Sequence, residues 1–295
     1  MKLMWNGAVA GALAACLLAA GDPQWVRTKS AHFTIYSCAG TGSTQEMAQH
    51  FEFVYSFLQQ ALGELPPGGR PVYLVLFGAE KEYAKHRSND WSAGAFHEFA
   101  DRDIIAIGDP HQELATAVHE YFHLWASRQK LGLPLWLNEG LAQLYSTVRP
   151  TLGGQVVGDV PPGFASHLSR YGWIPLRTIV SARDYPPSDK DGSVSDFYRE
   201  AWALTHMLEL SADYRAKAGQ ILPAIQSGQS SEEALSRIYG KTMAEIEVDL
   251  RGYLPMIESR SEIYRLKLPK AARVSAFEPA PEDEVRAVLT QLREP

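Results

Sequence analysis

Strand-like segments in this chain end before Pro110, and from there on helical spacing dominates, so the strands and most of the helices must sit on different sides of the fold. Residues 24 to 37 (QWVRTKSAHFTIYS) alternate well enough to suggest one strand. VYLVLF (72 to 77) is a short continuous apolar run of the kind buried on both faces of a sheet. RDIIAIGDP (102 to 110) supplies another strand, with Asp109 and Pro110 suited to the N-cap and first position of the helix that follows. Between these strands, residues 43 to 62 place Met47, Phe51, Val54, Tyr55, Leu58 and Leu62 at helical intervals, with Ser43 or Thr44 as cap and Gly63 as stop. Residues 79 to 87 suggest a short helix. Helices are then expected over 111–129, 136–147, 162–170, 196–212, 215–226, 231–239 and 242–258, with loops at 154–163 and 184–195. The expected class is α+β, a small mixed sheet followed by a mainly helical half. At 295 residues, 45% of them hydrophobic, the chain can bury one sizeable core. We expect that core over residues 21–260 and a peripheral tail over 261–295.

The first 20 residues carry one early lysine and then an apolar, alanine-rich run with no charge, which reads as an export signal rather than a membrane span. Within it, LAAC (13 to 16) resembles the bacterial lipobox, which would make Cys16 a lipidated amino terminus; the other reading is plain cleavage near Ala20. Either way the protein is expected to be exported, to the periplasm or to the periplasmic side of a membrane. Only two cysteines are present, Cys16 and Cys38, so a disulfide framework is excluded. The net charge of −6 is dispersed over short runs, which argues against a nucleic-acid partner because no basic face is evident.

The chemistry concentrates in AVHEYFHLWA (117 to 126). His119 and His123 lie four apart on a helix, so their imidazoles leave one face and can converge on a single ion, for which zinc is suited. The same helix keeps an apolar stripe at Leu114, Ala117, Val118, Tyr121, Phe122 and Trp125 to anchor it. A catalytic zinc needs a third protein ligand and an open position. Glu139, in LPLWLNEGLAQLY (133 to 145), follows His123 by sixteen residues, enough to end one helix, turn at KLGLP and begin another. It sits among Leu135, Trp136, Leu137 and Leu141, where a metal would offset the cost of burying a carboxylate.

HEYFH followed by WLNEGLA resembles the gluzincin metallopeptidases, and the WLNEG string is similar to that of their aminopeptidase-N-like branch. The spacing, length and leader are most similar to small exported peptidase-MA-like bacterial proteins. The resemblance implies a zincin-like fold and a zinc-dependent hydrolase acting on peptide or protein substrates. It also implies His119, His123 and Glu139 as ligands, with Glu120 as general base toward an activated water. In FYREAWALTHML (197 to 208), Tyr198 resembles the branch's oxyanion-donating tyrosine, although Glu200 and Ala201 replace the lysine and glycine of that pattern. GAFHE (94 to 98) resembles the segment that reads a free amino terminus, but its glutamate is displaced by one position, and it is expected to be a strand-edge loop. Strand 102–108 is expected to be the edge with which an extended peptide pairs. The rival functions are a non-peptidic zinc hydrolase and a non-catalytic envelope-binding lipoprotein scaffold. Among the other histidines, His206 is the one to check for proximity to the site.

Overall fold

A computed structural model describes residues 24–293 apart from 88, 90–91, 171–172, 187–191 and 270–272. The leader, with its expected cleavage and lipidation sites, lies outside the described residues. The chain is a mixed α+β protein built on a six-stranded sheet of order β4-β5-β3-β2-β1-β9. The strands are β1 (Val26–Lys29), β2 (Phe33–Ser37), β3 (Val72–Leu76), β4 (Gly94–Glu98), β5 (Asp103–Ile107) and β9 (Glu278–Pro279). The segment 24–37 is therefore two strands rather than one. The chain reverses at residues 30 to 32, where the Ser30 N–H donates to the Phe33 carbonyl at 3.0 Å, and β1 and β2 pair antiparallel. β2, β3 and β5 run parallel, while β4 returns antiparallel to β5 and forms the free edge. The edge is thus β4 and not the 102–108 strand, which is covered by β3 and β4 on its two sides.

The period of two along the parallel strands divides the core. Ile35, Leu74, Leu76, Ile105 and Ile107 face α1 (Thr41–Leu62) and α3 (Leu114–Arg128), both of which pack on that side. Tyr36, Val75, Ile104 and Ala106 face the other way, with Tyr83 of the short α2 (Glu80–Tyr83). All of β5 is buried, which is why its sequence reads as an unbroken apolar run. Helix α1 starts at Thr41 behind Gly40, whose φ of 82° makes the turn. Ser43 and Thr44 lie inside its first turn, hydrogen-bonded to His111 and to Ser37 and Gly40. Asp109 and Pro110 form a turn ahead of α3, the Asp109 side chain accepting from the His111 N–H at 3.1 Å.

The helical half comprises α4 (Leu135–Tyr145), α5 (Phe164–Arg170), α6 (Leu176–Ser181) and α7 (Ser193–Leu210). Beyond them come α8 (Arg215–Ala218), α9 (Ile221–Gln226), α10 (Ser231–Tyr239) and α11 (Met243–Tyr253). The expected 215–226 helix is split because Pro223 has no N–H and its ring would meet the carbonyl of residue 219. Helices α10 and α11 each begin in a full capping box, Ser230 with Glu233 and Thr242 with Glu245. A second sheet of three short strands comprises β6 (Arg149–Thr151), β7 (Gly154–Val157), which falls in the expected 154–163 loop, and β8 (Glu262–Tyr264), which falls in the expected tail. Residues after 261 thus contribute β8 to one sheet and β9 to the other. They also form α12 (Glu282–Gln291), whose Val285 and Val288, with Leu292 just past its end, cover the outer face of the main sheet. Glu284 on α12 accepts from both Arg27, at 3.0 Å, and the Tyr36 hydroxyl, at 2.6 Å. No described helix is long and apolar enough to cross a membrane.

Candidate metal centre

Helix α3 buries Ala117, Val118, Tyr121, Phe122 and Trp125 against the sheet and α1, which turns His119, Glu120 and His123 toward a cleft between β4 and the helical half. The chain then leaves α3, reverses, and enters α4, placing Glu139 opposite the two histidines. His119 Nε2 lies 3.1 Å from Glu139 Oε2 and 3.0 Å from His123 Nε2. His123 Nε2 is 3.4 Å from Glu139 Oε1. The three potential donor atoms lie within 4.8 Å of one another, an arrangement able to hold a metal ion. Glu139 is 0% exposed, so a carboxylate is buried at the meeting point of two imidazoles.

Gly140, the residue after Glu139, is what lets α7 approach. A Cβ there would fall 2.0 Å from Thr205 Oγ1 and 2.6 Å from the Ala201 carbonyl, both on α7. This close crossing brings Tyr198 to the His119–His123–Glu139 cluster, with its ring centroid 6.0 Å from that of His119. Tyr185, from the loop before α7, joins them: its hydroxyl donates to Glu139 Oε1 and its ring stacks on Tyr198 at 5.9 Å. Sequence reasoning missed Tyr185, whose only signal was a tyrosine ahead of two prolines in a loop.

The electrostatics follow from burial and from these contacts. Burial alone would raise the Glu139 carboxyl, but His123 and His119 outweigh it and hold the group well below the usual carboxylate range. Burial would likewise depress His123, yet the Glu139 charge and hydrogen bond push it up. In the metal-free protein a proton on His123 therefore does what a cation would do, neutralising Glu139. Burial pushes the Glu120 carboxyl up, with His119 and His123 opposing. Burial and the nearby Glu139 push the hydroxyls of Tyr198 and Tyr185 upward, so both remain proton donors at neutral pH.

GAFHE forms β4 itself rather than a loop. The Gly108 N–H donates to the Ala93 carbonyl and the Phe99 N–H to that of Arg102, so the odd-numbered residues of β4 bond to β5. The main-chain groups of Gly94, Phe96 and Glu98 consequently face away from the sheet, and that of Phe96 meets Glu120. The cleft has two lobes, of 590 Å³ and 200 Å³, and His119, Glu120 and Tyr198 line both. The site residues named from the sequence, His119, Glu120, His123, Glu139 and Tyr198, thus share one cleft. His206 does not reach it. It is a buried residue of α7 itself, hydrogen-bonded to the Tyr253 hydroxyl and the Gly158 carbonyl. Comparison with protein-family models and with curated proteins returns no match.

Proposed function

We propose that the protein is a zinc-dependent hydrolase of the gluzincin type, on a zincin-like scaffold, that cleaves peptide or related amide bonds. The observation that carries this reading is the convergence of His119, His123 and Glu139 in a cleft that also holds Glu120, one residue past the first ligand. The His119 Nε2–His123 Nε2 and His119 Nε2–Glu139 Oε2 separations of 3.0 and 3.1 Å are close to the roughly 3.3 Å edge of a tetrahedron with bonds of about 2.0–2.1 Å, as N/O ligands make to zinc. Two neutral imidazoles and one carboxylate also suit zinc better than the all-oxygen shells of calcium or magnesium.

A zinc ion held there would supply a water of pKa about 7 and polarise a carbonyl. Glu120 accepts a proton at its carboxylate and passes it to the leaving nitrogen, and a pKa raised by burial suits a group that must do both near neutral pH. The Tyr198 hydroxyl, which keeps its proton, donates to the developing oxyanion. The outward main-chain groups of β4 offer an extended substrate a strand to pair with, across both lobes. A scaffold that used zinc only for shape would not need Glu120, which leaves hydrolysis the better-supported reading. Export through the leader, with anchoring at Cys16, belongs to the same proposal. Fractionation of cells making the wild type and Cys16→Ser, with the mass of the mature amino terminus, tests it.

The test of activity is digestion of a degenerate peptide library by zinc-loaded wild type and by Glu120→Gln at matched metal content. The wild type is expected to cleave, and the variant to be slower by about 10²- to 10⁴-fold. No cleavage by fully loaded wild type, or equal cleavage by both, would refute the reading.

A further inference from the structure

Glu139 is fully buried, and each of its two oxygens has different neighbours. Oε2 faces His119 Nε2 at 3.1 Å, whereas Oε1 accepts a hydrogen bond from the Tyr185 hydroxyl and lies 3.4 Å from His123 Nε2, the longer of the two histidine contacts. A buried carboxylate that gives one oxygen to a metal leaves the other in need of a donor, and an unpaired buried acceptor costs about 1–3 kcal/mol. Tyr185 meets that need from outside the ligand helices. The residue as a whole is 39% exposed, yet its ring is held on two sides by α7, stacked on Tyr198 with 18° between planes and edge-on to the buried Phe197 at 6.4 Å. Pro186 follows, which biases the Tyr185 backbone to extended conformations. The side chain thus reaches Glu139 from a loop, through a bond that only its hydroxyl makes.

We propose that Tyr185 is a positioning residue for the metal centre: its hydroxyl holds Oε1 of Glu139 so that Oε2 is presented to the ion as a single-oxygen ligand. This rests on the zinc-hydrolase reading above. It makes metal affinity depend on a residue outside the ligand helices. It also separates the two tyrosines by task, Tyr185 acting on the ligand and Tyr198 on the substrate.

The experiment is zinc affinity by chelator competition for wild type, Tyr185→Phe and Tyr198→Phe, with circular dichroism melting to show that each is folded and the cobalt-substituted absorption spectrum as a second readout. Partners of metal ligands typically contribute 10- to 100-fold in affinity, so Tyr185→Phe is expected to raise the zinc Kd by about that factor and to alter the cobalt bands. Tyr198→Phe keeps the ring that stacks on Tyr185 and loses a bond to that residue's hydroxyl rather than to a ligand, so it is expected to change both by clearly less than Tyr185→Phe. An unchanged Kd and cobalt spectrum in Tyr185→Phe would overturn the proposal while leaving the zinc reading intact. An unchanged Kd with kcat reduced about 100-fold would overturn it in favour of a substrate-facing role. Wild type that takes up no zinc would instead overturn the zinc-hydrolase reading itself.

Discussion

Replacing Gly140 by alanine should loosen the His119–His123–Glu139 cluster without altering any of those three residues. In an ordinary helix the substitution gains about 1 kcal/mol in propensity. At Gly140 the new Cβ would lie 2.0 Å from Thr205 Oγ1, 2.6 Å from the Ala201 carbonyl and 2.9 Å from Thr205 Cβ. The hydroxyl can rotate away, but the carbonyl belongs to the α7 backbone, so α4 and α7 must separate by roughly 0.7 Å or more to restore van der Waals contact. Overpacking of this kind costs about 1–3 kcal/mol and sometimes more, and a backbone contact belongs at the upper end. The net expectation is a loss of about 2 kcal/mol, or a Tm lower by about 3–4 °C at this chain length. Gly252→Ala is the matched control: it is also helical, is exposed, and its Cβ would meet nothing within 4 Å. That variant should be neutral or gain up to about 1 kcal/mol. Melting of both variants by circular dichroism decides the matter. If Gly140→Ala is as stable as Gly252→Ala, the close helix crossing does not exist as described.

Two further expectations concern α7. Tyr198→Phe should lower kcat by about 10²- to 10³-fold with KM little changed, since a donor aimed at the oxyanion acts mainly in the transition state; steady-state rates within a few fold of wild type would return Tyr198 to a packing role. His206 is buried, which lowers its pKa from 6.5 to about 4 against the hydrogen bonds to backbone carbonyls that raise it. For a histidine with a depressed folded pKa, the unfolded chain takes up the proton first, so stability is full above about pH 6.5 and falls as pH drops toward 4. Urea unfolding should show the gap between wild type and His206→Gln narrowing by about 3 kcal/mol over that range, and a constant gap would refute it.

The parts of the fold legible in the sequence are those whose pattern is set by one dominant contact surface. The Met47, Phe51, Val54 and Leu58 spacing of α1 and the apolar run of β5 each face a large core, and their periodicity shows it. The meeting of His119, His123 and Glu139 was legible because two residues four apart share one face of a helix, and the distance to Glu139 fits one reversal. The second sheet left no such mark: β6 is exposed at all three positions, so no alternation records it. The 261–295 segment was read as a tail because the surface that Val285, Val288 and Leu292 cover is created by strand order, bringing together Tyr36, Val75 and Ile104 from distant segments. Strand β4 was missed for a related reason. At an edge, only one side of the strand is paired, and GAFHE carries no clear alternation to reveal it.

Metal content is the most direct test of the central claim. Protein purified without metal-binding tags, reconstituted with zinc at neutral pH and freed of excess, should hold about one zinc per chain by elemental analysis, bound by three N/O ligands with one open position. Glu139→Ala should lose most of that metal, while Glu120→Gln should retain it, because only the first of the two carboxylates lies within the ligand cluster. Wild type that holds no zinc under these conditions, or Glu139→Ala that binds it as tightly as wild type, would contradict the account.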